Sequence, residues 1–415
     1  MSENLNTNLW NSVKKYFTVP MVILAMEMIL IIWQITDDLL EGFSFYSWNI
    51  SEILINYEGG FVRRGLLGQM IYVACNTFSF STYYTVISIC VVSLGVYFYL
   101  FFKGFLNKKI PPFIAGSVLL AAAPVFSRDW VRKDVLIIVF FILILKLFYT
   151  TAMRSTLMAN LLLSVGILIH ESLFFITFPI LTFLQIAENK CLHLTFNKFY
   201  SFVIPIFTFL TVCIFSGNEQ TVEAILNSWN LHDKTIENAV TSLSWSLEFG
   251  VRIAFAQGKA FTDNGLIFPP LVWLIISASV FYILINLSIF FADIHKKLKY
   301  RKFMLTVALI QLTAVVPLFI LGCDYGRWFF YWSSTSIAAF LFVPENTVDY
   351  IIRFMRIKDS FFTENPIFVS EKMSLYILFI ILGIPGYIMN TENYLNSTFI
   401  YKMITKLSLI FNYFL

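Results

Sequence analysis

The stretch Asn56-Tyr-Glu-Gly-Gly-Phe-Val-Arg-Arg-Gly-Leu-Leu-Gly-Gln69 sets two arginines and four glycines between apolar segments that otherwise exclude charge. Gly59, Gly60, Gly65 and Gly68 permit left-handed or closely approaching backbone, and Arg63 and Arg64 offer planar forks matched to phosphate or carboxylate. Charge of this kind is costly beside hydrocarbon. The stretch therefore reads as a cradle for a lipid phosphate or sugar phosphate at a membrane surface. The plainer reading is a glycine-rich turn before an interfacial helix, with arginines that snorkel to headgroups.

The rest of the chain fits a bilayer. Of its 415 residues 58% are hydrophobic and 13% charged, against about 25% charged in a soluble domain, and the mean hydropathy is +0.76. These values exclude an ordinary soluble globule and predict an all-α polytopic transmembrane helical bundle. The net charge of +4 resides in short loops, where it sets topology, so no nucleic-acid partner is expected. Cys75, Cys90, Cys191, Cys213 and Cys323 have no ligand-like spacing and support neither a disulfide framework nor a zinc site. The first apolar run follows Lys14 and Lys15 as a signal peptide would, but it lacks a small-residue cleavage site and is long enough to span, so it is read as an uncleaved helix.

Apolar runs at 17–36, 80–102, 112–127, 135–149, 157–170, 172–187, 200–216, 266–291, 303–322, 329–343 and 373–389, with a tail after 401, give about 11–12 expected spans. They form one membrane domain, 1–415, into which 217–265 is inserted as a large extracytoplasmic helical loop or lid. A cytoplasmic N-terminus places Lys103, Lys108, Lys109, Arg154, Lys190, Lys198, the basic run 295–302, Arg353, Arg356 and Lys358 inside. The same topology brings every other polar motif to the outer side.

Those motifs are the candidates for chemistry. Glu27, in the first span, is an intramembrane acid and so a functional candidate, or else a buried tie between helices. Asp37 and Asp38 could serve as general base towards a sugar hydroxyl or ligate a divalent metal, or simply mark a solvated helix end. The segment Ser127-Arg-Asp-Trp-Val-Arg-Lys-Asp134 packs Arg128, Arg132 and Lys133 beside Asp129 and Asp134, enough to clamp a diphosphate or to neutralise itself. Were this turn helical, Arg128 and Arg132 would share a face. His170-Glu171 lies between two short apolar runs, where imidazole beside carboxylate can accept a proton near neutral pH. In Asp324-Tyr-Gly-Arg-Trp328, Gly326 suits a sharp turn, Arg327 is another outer cation and Trp328 suits the interface.

Together these residues resemble the O-antigen and capsule repeat-unit polymerases (the Wzy type), multi-span enzymes that build bacterial surface polysaccharide on undecaprenyl diphosphate, within the broader GT-C class of membrane glycosyltransferases. The likeness rests on span number, the outer arginines 63, 64, 128, 132 and 327, His170, the carboxylates after the first span and one large outer loop. The resemblance implies glycosyl transfer with a lipid diphosphate as leaving group and no cofactor. It further implies Arg63, Arg64, Arg128, Arg132, Lys133 and Arg327 around the diphosphate, His170 or Glu171 as base, and Asp37, Asp38, Asp129 and Asp324 orienting those groups or the sugar. The implied partners are an undecaprenyl-diphosphate-linked oligosaccharide, membrane lipids, and the chain-length regulator and flippase of the same pathway. The implied setting is the bacterial inner membrane, with a periplasmic active face. Two alternatives stand beside it. One is a GT-C transferase adding a single sugar from a polyprenyl phosphate, with Asp37 or Asp38 as base and room for a divalent metal. The other is a flippase for the lipid-linked oligosaccharide, which calls for several mid-span ionisable groups and often an inverted repeat; Glu27 is the clear mid-span charge and no repeat is visible.

Overall fold

The computed structural model describes residues 18–149, 153–188, 202–233, 235–249, 251–252, 269–322, 324–356, 372–382 and 398–414. They form α1 (Val19–Glu41), α2 (Trp48–Leu54), α3 (Gly65–Phe78), α4 (Thr82–Asn107), α5 (Ala122–Phe126), α6 (Asp134–Phe148), α7 (Met153–Ile169) and α8 (Ser172–Glu188). The second half adds α9 (Val203–Ile214), α10 (Glu219–Ser228), α11 (Pro269–Asn286), α12 (Ile294–Leu321), α13 (Tyr325–Phe342), α14 (Glu345–Met355), α15 (Lys372–Ile381) and α16 (Phe399–Phe414). Short 3-10 turns occur at Pro112–Gly116, Thr241–Ser244 and Leu287–Phe290, and no strand occurs among the described residues. Lys14, Lys15, Lys190, Lys198, Lys358, Cys191, Cys323 and the segment 253–268 lie outside them.

The chain is an all-α polytopic membrane bundle. Among the described residues four helices are long and apolar enough to cross a bilayer: Val19–Glu41, Thr82–Asn107, Trp273–Phe290 and Ile294–Leu321. The pair α9 and α10, bent by 98°, makes a fifth if counted as one span, and shorter apolar helices cover 157–169, 172–187 and 372–381. That is fewer long apolar helices than the 11–12 apolar runs read from the sequence, because the other runs form shorter or more polar helices. Helix α13, one of these, is buried from Gly326 to Leu341 on every face. Several of its polar side chains bond internally: Tyr97 and Ser334 hydroxyls meet at 3.2 Å, and Trp332 Nε1 donates to the Ala308 carbonyl at 2.8 Å.

The run 112–127, expected to span, does not form a continuous helix. Pro112 and Pro124 interrupt the ladder, and the chain divides into a 3-10 turn, an irregular stretch and the five-residue α5. Residues 113–126 are nevertheless all buried. Irregular backbone at membrane depth survives where protein satisfies its polar groups, and here Ser333 Oγ of α13 donates to the Leu119 carbonyl at 2.7 Å. Glu27 lies against this segment, its Oε2 buried without a hydrogen bond. A Cβ on Gly116 would stand 2.7 Å from that oxygen.

Beyond α9, α10 begins where the Asn218 side chain accepts from the Thr221 N–H at 2.9 Å, an N-cap. With the 3-10 turn Thr241–Ser244 it buries Val222, Ile225, Leu226, Val240 and Leu243 against Ile55 and Val62. Trp229 Nε1 donates to the Leu54 carbonyl at 2.8 Å and Asn56 Nδ2 to Ser228 Oγ at 2.8 Å. The described part of the 217–265 insertion is therefore a helical cap clamped onto the glycine-arginine stretch.

Candidate active site

Five segments far apart in sequence bring their ionisable side chains to one place. At its centre is Glu52, on α2, a helix opened by the Ser47 side chain accepting from the Ile50 N–H. Glu52 is 1% exposed and meets His170 Nε2 at 3.1 Å, Arg132 Nε at 3.4 Å, Arg64 Nη1 at 3.6 Å and Arg327 Nη2 at 3.7 Å. Burial pushes its carboxyl up, but Arg327, Arg132 and the His170 hydrogen bond outweigh burial and hold it well below the usual carboxylate range.

Arg64 enters α3 with φ of 65°, a left-handed conformation that costs a non-glycine residue of order 1 kcal/mol or more. Two features fix it there. Its guanidinium forks onto both oxygens of Glu171, with Nε at 2.9 Å from each and Nη2 closer still. Behind it, α3 presses on the preceding segment at Gly68, where a Cβ would fall 2.0 Å from the Ile55 carbonyl oxygen. The Arg64 carbonyl in turn accepts from Lys133 Nζ at 2.8 Å.

His170 and Glu171 occupy the break between α7 and α8. His170 is not at an open boundary as the sequence suggested; it is 2% exposed, and both ring nitrogens are engaged. Nδ1 accepts from the Ser172 N–H at 3.1 Å, which leaves the proton on Nε2 to be donated to Glu52. Burial and the nearby Arg64 push the imidazole below its usual value.

The 127–133 segment is a turn, not a helix, so Arg128 and Arg132 do not aim one way. Arg128, with φ of 63°, turns to α1, reaching Asp38 at 3.2 Å, Glu41 at 2.6 Å and the Gly42 carbonyl at 3.2 Å. Arg132 turns inward to Glu52 and to Asp129 at 3.1 Å. Asp129 is pushed up to about 6 by burial, against the pull of Arg132. Asp134 opens α6 and receives Arg327 in a fork, 2.9 and 2.8 Å, together with the Tyr331 hydroxyl. Arg327 Nη1 also reaches Asp324 Oδ2 at 2.6 Å.

The structure thus joins Arg64, Asp129, Arg132, Lys133, His170, Glu171, Asp324 and Arg327. Glu52 and Tyr331, which sequence reasoning passed over, tie them together; the one signal for Glu52 was a polar pair, Ser51-Glu52, inside an otherwise apolar run. Asp37, Asp38 and Arg128 form a separate group. Asp38 is buried and accepts from Trp130 Nε1 at 2.8 Å, Gln34 Nε2 at 2.9 Å and Arg128, while Asp37 pairs with Lys406 of α16. With both oxygens taken by N–H donors, Asp38 does not present a donor set suited to a divalent cation. It anchors the outer half of the loop whose inner half carries Arg132 and Lys133. Arg63 differs from the other four arginines. Its backbone N–H donates to the Phe215 carbonyl at 2.9 Å, its Nε is buried without a hydrogen bond, and no carboxylate among the described residues pairs with it.

Three network side chains reach the surface: Arg64 at 22% exposure, Glu171 at 17% and Asp324 at 22%. They define a mouth over a network that is otherwise enclosed. Buried ion clusters gain little stability over apolar packing, so fixed charges gathered in a low-dielectric wall are better suited to meeting a charge that develops there.

Lys133, fully buried, has its amine pushed by desolvation down to about 7 from the ordinary 10.5, against the pull of Glu52. Between these two values the unfolded chain holds the proton and the folded chain does not, so stability falls as pH drops from about 10.5 to about 7. Lys133→Met is therefore expected to raise the melting temperature most at pH 7 and below and to flatten its pH dependence. A melting series from pH 6 to 10 checks this, and parallel curves for the two proteins would refute it.

No family model, curated protein or solved structure matches the chain. What fold and site define is a class: an all-α polytopic membrane protein with a buried network of arginines and carboxylates opening to one mouth.

Proposed function

We propose that the chain is a membrane glycosyltransferase that polymerises undecaprenyl-diphosphate-linked repeat units at the extracytoplasmic face of a bacterial inner membrane. The observation that carries this reading is the convergence of Glu52, Arg64, the 129–134 segment, His170-Glu171 and Asp324–Tyr331 on one network with a single partly exposed mouth. Transfer from a lipid diphosphate needs cations for the departing anion and a base for the acceptor hydroxyl. Arg64, Arg132 and Arg327 are locked to carboxylates, so they supply a fixed positive field more than direct ligation. Arg63 is the cation left to contact the diphosphate. The exposed apolar residues Phe207, Leu210 and Ile214 of α9 offer the prenyl tail a path beside it. The single-sugar GT-C alternative needs Asp37 or Asp38 free as a base; Asp38 has both oxygens engaged by Gln34, Trp130 and Arg128, and Asp37, held by Lys406 through Oδ2, stands apart from the arginine network.

The test is the surface-polysaccharide profile of a strain lacking the gene, complemented with wild type, Arg64→Ala or His170→Ala. Collapse of the ladder to carrier or core bearing one repeat, unrescued by expressed variants, supports polymerisation. A full ladder with altered rung spacing or sugar composition overturns it in favour of side-sugar addition.

Cys213 gives a second check. It is exposed on α9 and within electrostatic range of both Arg63 and Glu171. In a variant with the other cysteines replaced by serine, N-ethylmaleimide is expected to cut transfer about tenfold or more, as misplacement near a reacting centre does, and lipid-diphosphate substrate should slow the labelling. Full activity after complete labelling would remove this face from the site.

A further inference from the structure

We infer that Asp324 is the group that takes the proton from the attacking saccharide hydroxyl. This rests on the transferase reading above and assigns the base that reading leaves open.

The best-placed base is an oxygen or nitrogen that no donor already holds and that a hydroxyl can reach. Glu52 gives Oε1 to His170, Arg64 and Arg327 and Oε2 to Arg132. Glu171 gives both oxygens to Arg64. Asp134 gives Oδ1 to Arg327 and Tyr331 and Oδ2 to Arg327. His170 has its Nδ1 lone pair filled by the Ser172 N–H. Asp129 gives Oδ1 to Arg132, and its remaining Oδ2 is sealed from solvent.

Asp324 alone in the network combines exposure with an oxygen that accepts no hydrogen bond among the described residues. Its Oδ2 is held by Arg327 Nη1 at 2.6 Å, with Arg132 Nη2 at 4.0 Å, while Oδ1 is left over. Standing just before α13, it could cap that helix, yet its side chain makes no capping bond. The carboxylate is thus fixed by one oxygen and presents the other at the mouth. Glu171 and His170, the bases expected from sequence, instead orient Arg64 and Glu52.

The step balances without a co-reactant. The acceptor O–H breaks, its proton passing to Asp324 Oδ1 and its electron pair to the new bond with the donor's anomeric carbon. The bond from that carbon to the diphosphate oxygen breaks, and its pair remains on the diphosphate beside Arg63. Water at the exposed mouth takes the proton from Asp324 before the next cycle.

The experiment uses the full chain in lipid nanodiscs with a synthetic prenyl-diphosphate-linked repeat unit, measuring donor Kd and turnover for wild type, Asp324→Asn and Asp324→Ala. Asp324→Asn keeps an oxygen for Arg327, so donor binding should stay within about threefold while turnover falls by about 10²–10⁴-fold, the usual range for a lost general base. Added formate should restore part of the turnover of Asp324→Ala, which also shows that this variant is folded. Turnover of Asp324→Asn within tenfold of wild type, or loss of binding in step with turnover, overturns the assignment. Wild type that transfers no sugar overturns the transferase reading itself.

Discussion

Glu52→Gln is expected to lower the protein's stability and, on the proposed polymerase function, to abolish the polysaccharide ladder. The substitution keeps the shape of the side chain but removes the one negative charge that faces Arg64, Arg132, Arg327 and His170 together. Breaking a buried ion pair by deleting one partner costs about 3–5 kcal/mol, because the other charge is left uncompensated. Here three guanidiniums share the loss. At about 1–3 °C per kcal/mol for a chain of this size, the melting temperature should fall by roughly 3–15 °C, and the polysaccharide ladder should vanish. Adding Arg132→Gln to Glu52→Gln should recover part of the melting temperature, since it removes one of the orphaned cations, without recovering the ladder. A single variant that melts with wild type and makes a full ladder would show that Glu52 is not the hub.

Arg327→Lys should separate geometry from charge. Arg327 spans two carboxylates at once, with Nε and Nη2 on Asp134 and Nη1 on Asp324. An ammonium keeps the charge but is a point donor and cannot reproduce that fork. Asp324 would lose its fixed orientation while the total charge stays the same. The expected result is a fall in turnover of about 10²-fold or more, the scale of a misplacement near 1 Å, with a melting temperature closer to wild type than that of Glu52→Gln. Turnover within threefold of wild type would mean that charge alone suffices at this position.

Much of the site was legible because charge in an apolar chain is conspicuous. The glycine-arginine stretch, Arg132-Lys-Asp134, His170-Glu171 and Asp324–Arg327 each stood out against hydrophobic surroundings, and each contributes to the network. Glu52 did not stand out, since a single acid in a seven-residue helix carries no period, and its importance arises only from what four other segments bring to it. Partner choice was equally hidden. Arg128 and Arg132 looked alike in sequence, but the left-handed turn at Arg128 sends one to α1 and the other to Glu52, a backbone choice that residue types do not encode. Asp37 and Asp38 looked like open acids because Trp130 and Lys406, which occupy them, lie about 90 and 370 positions away. The all-helical bundle followed from hydropathy, whereas the placement of each helix did not: hydropathy cannot tell a helix facing lipid from one such as α13 that is wrapped by its neighbours.

The broken segment 112–126 has a consequence for how the chain is made. Its irregular backbone cannot be left to lipid, and the Leu119 carbonyl finds its donor in Ser333, 214 residues later. A ribosome delivering this chain to the insertion machinery exposes the segment long before its partner exists. The segment must therefore wait, shielded at the insertion site or against α1, until α13 emerges and supplies that donor, and until Tyr376 and Phe379 of α15 close on Phe113. The fold therefore requires a late docking event in the C-terminal third, and any fragment stopping short of Ser333 carries an unsealed seam.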